Sequence, residues 1–120
     1  MRAHKRLGSW GESQAADYLI GKGYRIAARN LRTPYGEIDL VAEHEGIIVF
    51  VEVKTRTSTR FGYPEEAVNR KKLEHLLASA ECYLQSREDF SGDWRIDVIA
   101  VAKKAGKISP EIIHLENIQA

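Results

Sequence analysis

Asp39, Glu52 and Lys54 are the residues whose types and spacing most readily do chemistry together. Asp39 lies in residues 37–43, where acidic and apolar side chains alternate, and Glu52 and Lys54 close the run Ile47-Ile48-Val49-Phe50-Val51-Glu52-Val53-Lys54. Between the two segments stands Glu45-Gly46, a short polar link that suits a two-residue hairpin turn. In that register His44 faces Ile47, Asp39 faces Glu52 and Glu37 faces Lys54. Directly opposed residues share a face of the sheet, with Cβ atoms about 4.5–5.5 Å apart. Two carboxylates so placed repel, and the repulsion grows where an apolar strand lowers the local dielectric. A divalent cation would compensate, and so would a shared proton or a nearby arginine.

Mg²⁺ suits the pair best, because it binds through few carboxylates and completes its shell with water and substrate phosphate. Lys54 follows Glu52 by two residues and so shares its face. Its ammonium could orient an attacking water, neutralise charge developing on phosphorus, or act as a base if depressed in pKa. Together these are the parts of metal-assisted phosphodiester hydrolysis. The spacing alone is weak, since an acid-x-lysine triplet arises about once by chance in a chain of this length. The competing reading is a solvated strand face on which Glu37 and Lys54 make an ordinary ion pair.

The surrounding pattern supplies elements to position these groups. Residues 9–22 read as a helix with Trp10, Ala15, Ala16, Leu19 and Ile20 near one face, stopped by Gly21 and Gly23. Strands follow over 24–31, 37–43 and 47–54, the first ended by the turn-forming Thr33-Pro34-Tyr35-Gly36. Residues 55–63 are polar and loop-like, and Pro64-Glu65-Glu66 suits a helical start. Leu73, Leu76, Leu77, Ala80, Tyr83 and Leu84 mark a helix over 69–87, with strands expected at 94–102 and 112–118. The order helix, three strands, helix, two strands predicts an α/β fold with a mixed central sheet flanked by helices.

Bulk properties narrow the classes. At 120 residues, with no Pro/Gly/Ser-rich linker, residues 1–120 are expected to form a single domain. A 43% hydrophobic and 29% charged composition argues against disorder. The net charge of +1 neither requires nor excludes a nucleic-acid partner. Cys82 has no partner for an internal disulfide, and residues 1–10 are basic without a following apolar run, so a cytoplasmic location is expected. The longest apolar run, residues 47–51, is too short to span a bilayer, and no membrane association is expected.

Gly36-Glu37-Ile38-Asp39-Leu40, followed by Val49-Phe50-Val51-Glu52-Val53-Lys54-Thr55-Arg56, resembles the PD-(D/E)xK nuclease signature. With Gly11-Glu12, Phe61-Gly62, Glu66-Ala67-Val68 and Arg95-Ile96-Asp97-Val98, nearly the whole chain resembles the uncharacterised bacterial YraN family. That family is similar to archaeal Holliday junction resolvases and to the restriction-endonuclease-like fold. The resemblance implies that Asp39 and Glu52 are metal-binding acids for Mg²⁺ or Mn²⁺ and that Lys54 is the catalytic lysine. It implies that Glu12 is a first-helix acid reaching the metal directly or through water. Ile38 stands where the signature has proline, and the glutamine-x-x-x-tyrosine helix motif of RecB-type relatives is absent.

Glu12 also has a reading of its own, as the N3 acid of a capping box Ser9-Trp10-Gly11-Glu12. Asp97 reads as a structural partner for an arginine such as Arg95 or Arg29, and Cys82 as a packing residue. His4, His44, His75 and His114 show no ligand spacing and read as surface or internally satisfied. Beyond Lys54 the chain carries Arg56, Arg60, Arg70, Lys71 and Lys72 against Glu65 and Glu66, with Thr55, Thr57, Ser58 and Thr59 as hydroxyl donors. Such a cluster would neutralise DNA backbone phosphates without reading sequence, although each member alone reads as a solvated loop residue. Arg2, His4, Lys5 and Arg6 form a second basic arm.

The expectation is a metal-dependent DNA endonuclease, with a preference for branched or recombination intermediates implied by the resemblance alone. Analogy with the resolvases also admits a homodimer, since two sites are needed to cut a junction symmetrically. The rival is a catalytically inactive DNA-binding or adaptor module with the same fold.

Overall fold

A computed structural model describes residues 2–57, 69–103 and 106–118, with side chains from residue 7 onward. The elements are α1 (Arg2–Gly21), β1 (Arg25–Thr33), β2 (Gly36–His44), β3 (Ile47–Arg56), α2 (Arg70–Gln85), β4 (Trp94–Ala102) and β5 (Glu111–Leu115). Their order is the one expected from the sequence. Residues 58–68, which include Arg60, Phe61-Gly62 and the expected helical start at Pro64, lie outside the described residues.

The five strands form one mixed sheet in the order β1-β2-β3-β4-β5. Only β3 and β4 pair in parallel, with antiparallel neighbours on either side. Because β3 is covered on both faces, its sequence is a continuous apolar run rather than an alternating one. Val49 and Val51 pack with Leu40, Ala42, Ile99 and Val101 beneath Ala15, Ala16 and Leu19 of α1. Ile48 and Phe50 point the other way and pack with Val41 and Ile96 beneath Leu73, Leu76 and Ala80 of α2. The parallel pairing of β3 with β4 requires a crossover, and α2 lies within it.

The β2–β3 turn forms as expected: Glu45 and Gly46 both take positive φ, 52° and 79°, as a two-residue hairpin of the favoured twist requires. The pairs run from His44↔Ile47 to Leu40↔Val51 in the anticipated register.

Helix α1 begins well before residue 9, so Ser9 is interior and cannot be an N-cap. The capping-box reading of Glu12 is therefore wrong. Gly11 is buried against Thr55 of β3, where an added Cβ would overlap Thr55 Oγ1 and lie 2.9 Å from its Cβ. This close approach brings the next residue, Glu12, toward the end of the sheet that carries Glu52. Gly11→Ala is expected to cost about 1–3 kcal/mol by overpacking, measured by urea unfolding; an unchanged midpoint would contradict this packing.

Candidate functional site

Strand alternation carries Glu52 and Lys54 onto the α2 side of β3, in line with Ile48 and Phe50. Glu52 is only 3% exposed, so its charge must be matched locally. Two ammonium groups do this at the same oxygen: Lys54 Nζ lies 3.3 Å and Lys72 Nζ 3.1 Å from Glu52 Oε2. Lys72 comes from the first turn of α2, which is capped by Asn69, whose Oδ1 accepts from Lys72 N at 2.8 Å.

Asp39 meets Glu52 where the β2–β3 ladder ends, at a break in the alternation of β2 that leaves Ile38 and Val41 on the α2 side and Leu40 on the other. One step beyond Leu40↔Val51, the Val53 amide donates to Asp39 Oδ2 at 2.8 Å. A side-chain carboxylate thus serves as the acceptor for β3 at this step. The Asp39 carboxyl also lies close enough to Glu52 for the two acids to interact directly. Burial, then the charge of Glu52, push its pKa up to about 7 against the opposing Val53 amide. Of the compensations the sequence left open, the structure shows lysines in place of an arginine, and the raised pKa of Asp39 favours a proton on that acid.

Glu37 does not reach across to Lys54; it lies opposite Arg32 on β1, with Arg32 Nε 3.9 Å from its Oε2. Glu12 is drawn toward the same corner. Asn30, held at φ 51°, is assigned the amide orientation that its acidic neighbours require, which puts its nitrogen 3.0 Å from Glu37 Oε1 and 3.1 Å from Glu12 Oε1. Burial raises the Glu12 pKa, the Asn30 hydrogen bond opposes this, and the charges of Glu37 and Glu52 add to the rise. Glu12 is therefore electrostatically part of the acidic corner, tied through Asn30 to Glu37.

Of the other basic candidates, Arg70 and Lys71 are exposed at the start of α2. Arg56 is half-buried on β3, and its Nε is buried without a hydrogen-bond partner among the described residues. The structure thus gathers Asp39, Glu52, Lys54 and Lys72, brings Glu12 within electrostatic reach, and leaves Arg60 undescribed. Asn30 was missed by sequence reasoning; an asparagine inside a strand, a residue type that tolerates the left-handed region, was the available signal.

A second polar cluster lies where β4 meets β5. Asp97, 0% exposed, receives Arg95 Nε at 3.0 Å, Asn117 N at 2.9 Å and a hydrogen bond with His114 Nε2 at 2.7 Å. Among the described residues, Asp97, His114 and Glu116 are a group that could hold a metal ion, with ligand atoms all within 4.8 Å. Yet Arg95 already donates to both carboxylates, with Nη2 2.7 Å from Glu116 Oε1, leaving little negative charge for a cation. Burial pushes Asp97 up, but His114, Arg95 and the Asn117 amide together bring it below its ordinary value. The expected partnership of Asp97 with Arg95 is present, and His114 is internally satisfied. Asp97→Ala is expected to cost about 3–5 kcal/mol by leaving buried partners unmatched, read by chemical denaturation. A loss below about 1 kcal/mol would show the network to be incidental.

The fold and site define a class: a mixed α/β sheet whose central strand carries a buried carboxylate, paired with a second acid and two lysines. The chain belongs to uncharacterised protein family UPF0102, whose model matches residues 11–101. A UPF0102 protein of Syntrophomonas wolfei is 49% identical over 114 residues, covering 95% of this chain and 97% of the relative. One from Syntrophotalea carbinolica is 46% identical over 105 residues, covering 88% and 85% respectively. One from Thermus thermophilus is 51% identical over 82 residues, covering 68% and 72%. No helix among the described residues is long and apolar enough to cross a membrane.

Proposed function

We propose that this protein is a Mg²⁺- or Mn²⁺-dependent DNA endonuclease with a restriction-endonuclease-like core. The observation that carries the reading is the convergence of Asp39 and Glu52, from neighbouring antiparallel strands, with Lys54 Nζ 3.3 Å from Glu52. Their oxygens are hard donors suited to these ions, and burial, then the charge of Glu52, make the ionised form of Asp39 costly without a counter-charge. The donor set fits a divalent cation.

Asp39 and Glu52 would hold the ion, with Glu12 joining through water. A bound ion would supply Lewis-acid stabilisation of the phosphate and a more acidic water. Lys54, fixed on β3, positions its ammonium to orient the attacking water and to neutralise negative charge gathering on the phosphate oxygens. Arg56, Arg70 and Lys71 hold the flanking backbone phosphates through their charged ends. Arg60 belongs to the same expected set. The reading extends to branched DNA, a homodimer presenting two sites, a single domain and a cytoplasmic location.

The lysines already neutralising Glu52 favour one alternative, an inactive DNA-binding or adaptor module. The test is incubation of linear, flapped and four-way-junction DNA with Mg²⁺ or Mn²⁺. Cleavage with a preference for branched substrates supports the nuclease; salt-sensitive binding without turnover in either metal establishes the module instead.

A further inference from the structure

Lys72 stands apart from the Asp39, Glu52 and Lys54 arrangement in sequence, yet its Nζ is the nearer of the two ammonium groups to Glu52 Oε2. Glu52 Oε2 thus receives two ammonium groups, one from β3 and one from α2. The location of Lys72 is electrostatically poor: the first turn of α2 carries no acidic residue, and the positive end of the helix dipole disfavours a cation there. The pair with Glu52 offsets this. The two lysines also differ in freedom. Lys54 belongs to a strand paired with Ala100 of β4 and has a side chain 30% exposed, whereas that of Lys72 is 41% exposed on a helix end. A lysine stem is long and flexible enough to move its charge without moving the backbone.

We propose that Lys72 is a displaceable counter-ion of the metal centre, a positioning residue that couples metal loading to DNA. This rests on the nuclease reading above. Before the cation arrives, Lys72 neutralises buried Glu52. A divalent ion at that carboxylate repels the ammonium, which swings outward and pairs with a backbone phosphate of the bound strand. Metal and DNA then favour one another's binding, because the phosphate takes the charge that the metal displaces, and the coupling is reciprocal.

The test is titration of the full chain with Mn²⁺ alone, followed by electron paramagnetic resonance, with and without a DNA four-way junction under conditions too brief for cleavage. Wild type is expected to bind Mn²⁺ more tightly when DNA is present. Lys72→Gln, with its competing charge removed, is expected to bind Mn²⁺ about tenfold more tightly without DNA and to lose most of the enhancement by DNA. Lys72→Arg should resemble wild type, and thermal unfolding of both variants checks that they are folded. Weaker or unchanged Mn²⁺ binding by Lys72→Gln overturns the counter-ion role, weaker binding showing that Lys72 merely holds Glu52 in place. Wild-type protein that binds no Mn²⁺ defeats the nuclease reading itself, a result distinct from Mn²⁺ binding that ignores Lys72.

Discussion

Glu52→Gln is expected to lower metal-dependent DNA cleavage by about a thousandfold or more, and Lys54→Ala by about 10²–10⁴-fold. The two losses have different causes. Glutamine keeps the size of Glu52 but removes the charge that faces both Asp39 and the ammonium groups of Lys54 and Lys72. It should therefore weaken ion binding as well as turnover. Lys54→Ala leaves both acids in place and should reduce kcat without weakening metal binding. Steady-state rates over a range of Mn²⁺ concentrations separate the two. Activity that survives both substitutions would place the chemistry elsewhere.

Asp39→Asn is expected to stabilise the metal-free protein at pH 8 by about 2–4 kcal/mol, raising the melting temperature by about 5–15 °C. Asparagine is nearly isosteric: its carbonyl can accept from the Val53 amide and its NH₂ can donate to Glu52, reproducing the bonds of the protonated acid. The sign follows from linkage. Asp39 has a pKa of about 7 in the folded protein against an ordinary 3.8. Between these values the folded state keeps a proton that the unfolded chain has lost, so stability falls as pH rises through that window and the penalty is complete above 7. The gain from Asp39→Asn should grow from pH 4 to pH 7 and then level off. Mg²⁺ should raise the melting temperature of wild type at pH 8 but not that of the variant. A variant less stable than wild type at pH 8, or a gain indifferent to pH, would contradict the strained acid pair.

What the sequence revealed and what it hid follow from the range of the interactions. The β2–β3 hairpin was legible because its register depends on a local turn, Glu45-Gly46, and on an apolar run that begins immediately after it. The bounds of β4 were legible for the same reason, since residues 94–102 are apolar at nearly every position. The start of α1 was not, because Arg2, His4, Lys5 and Arg6 give no apolar face to follow. Lys72 read as one more phosphate-facing cation, since only the packing of α2 across Phe50 and Ile48 carries its ammonium to a residue twenty positions earlier. His114 read as surface or internally satisfied, and its partner was hidden because only the β4–β5 register sets it opposite Ile99 and hence on the face of Asp97. Asn30 depends on one residue's left-handed backbone, which no periodicity reports.

The most direct test of the central claim is calorimetric titration of the purified chain with Mn²⁺ at pH 8, beside Glu52→Gln and His114→Ala. Saturable binding that vanishes in Glu52→Gln and persists in His114→Ala is predicted. No binding by wild type, or binding lost with His114 and retained without Glu52, would contradict the claim that Asp39 and Glu52 hold the ion.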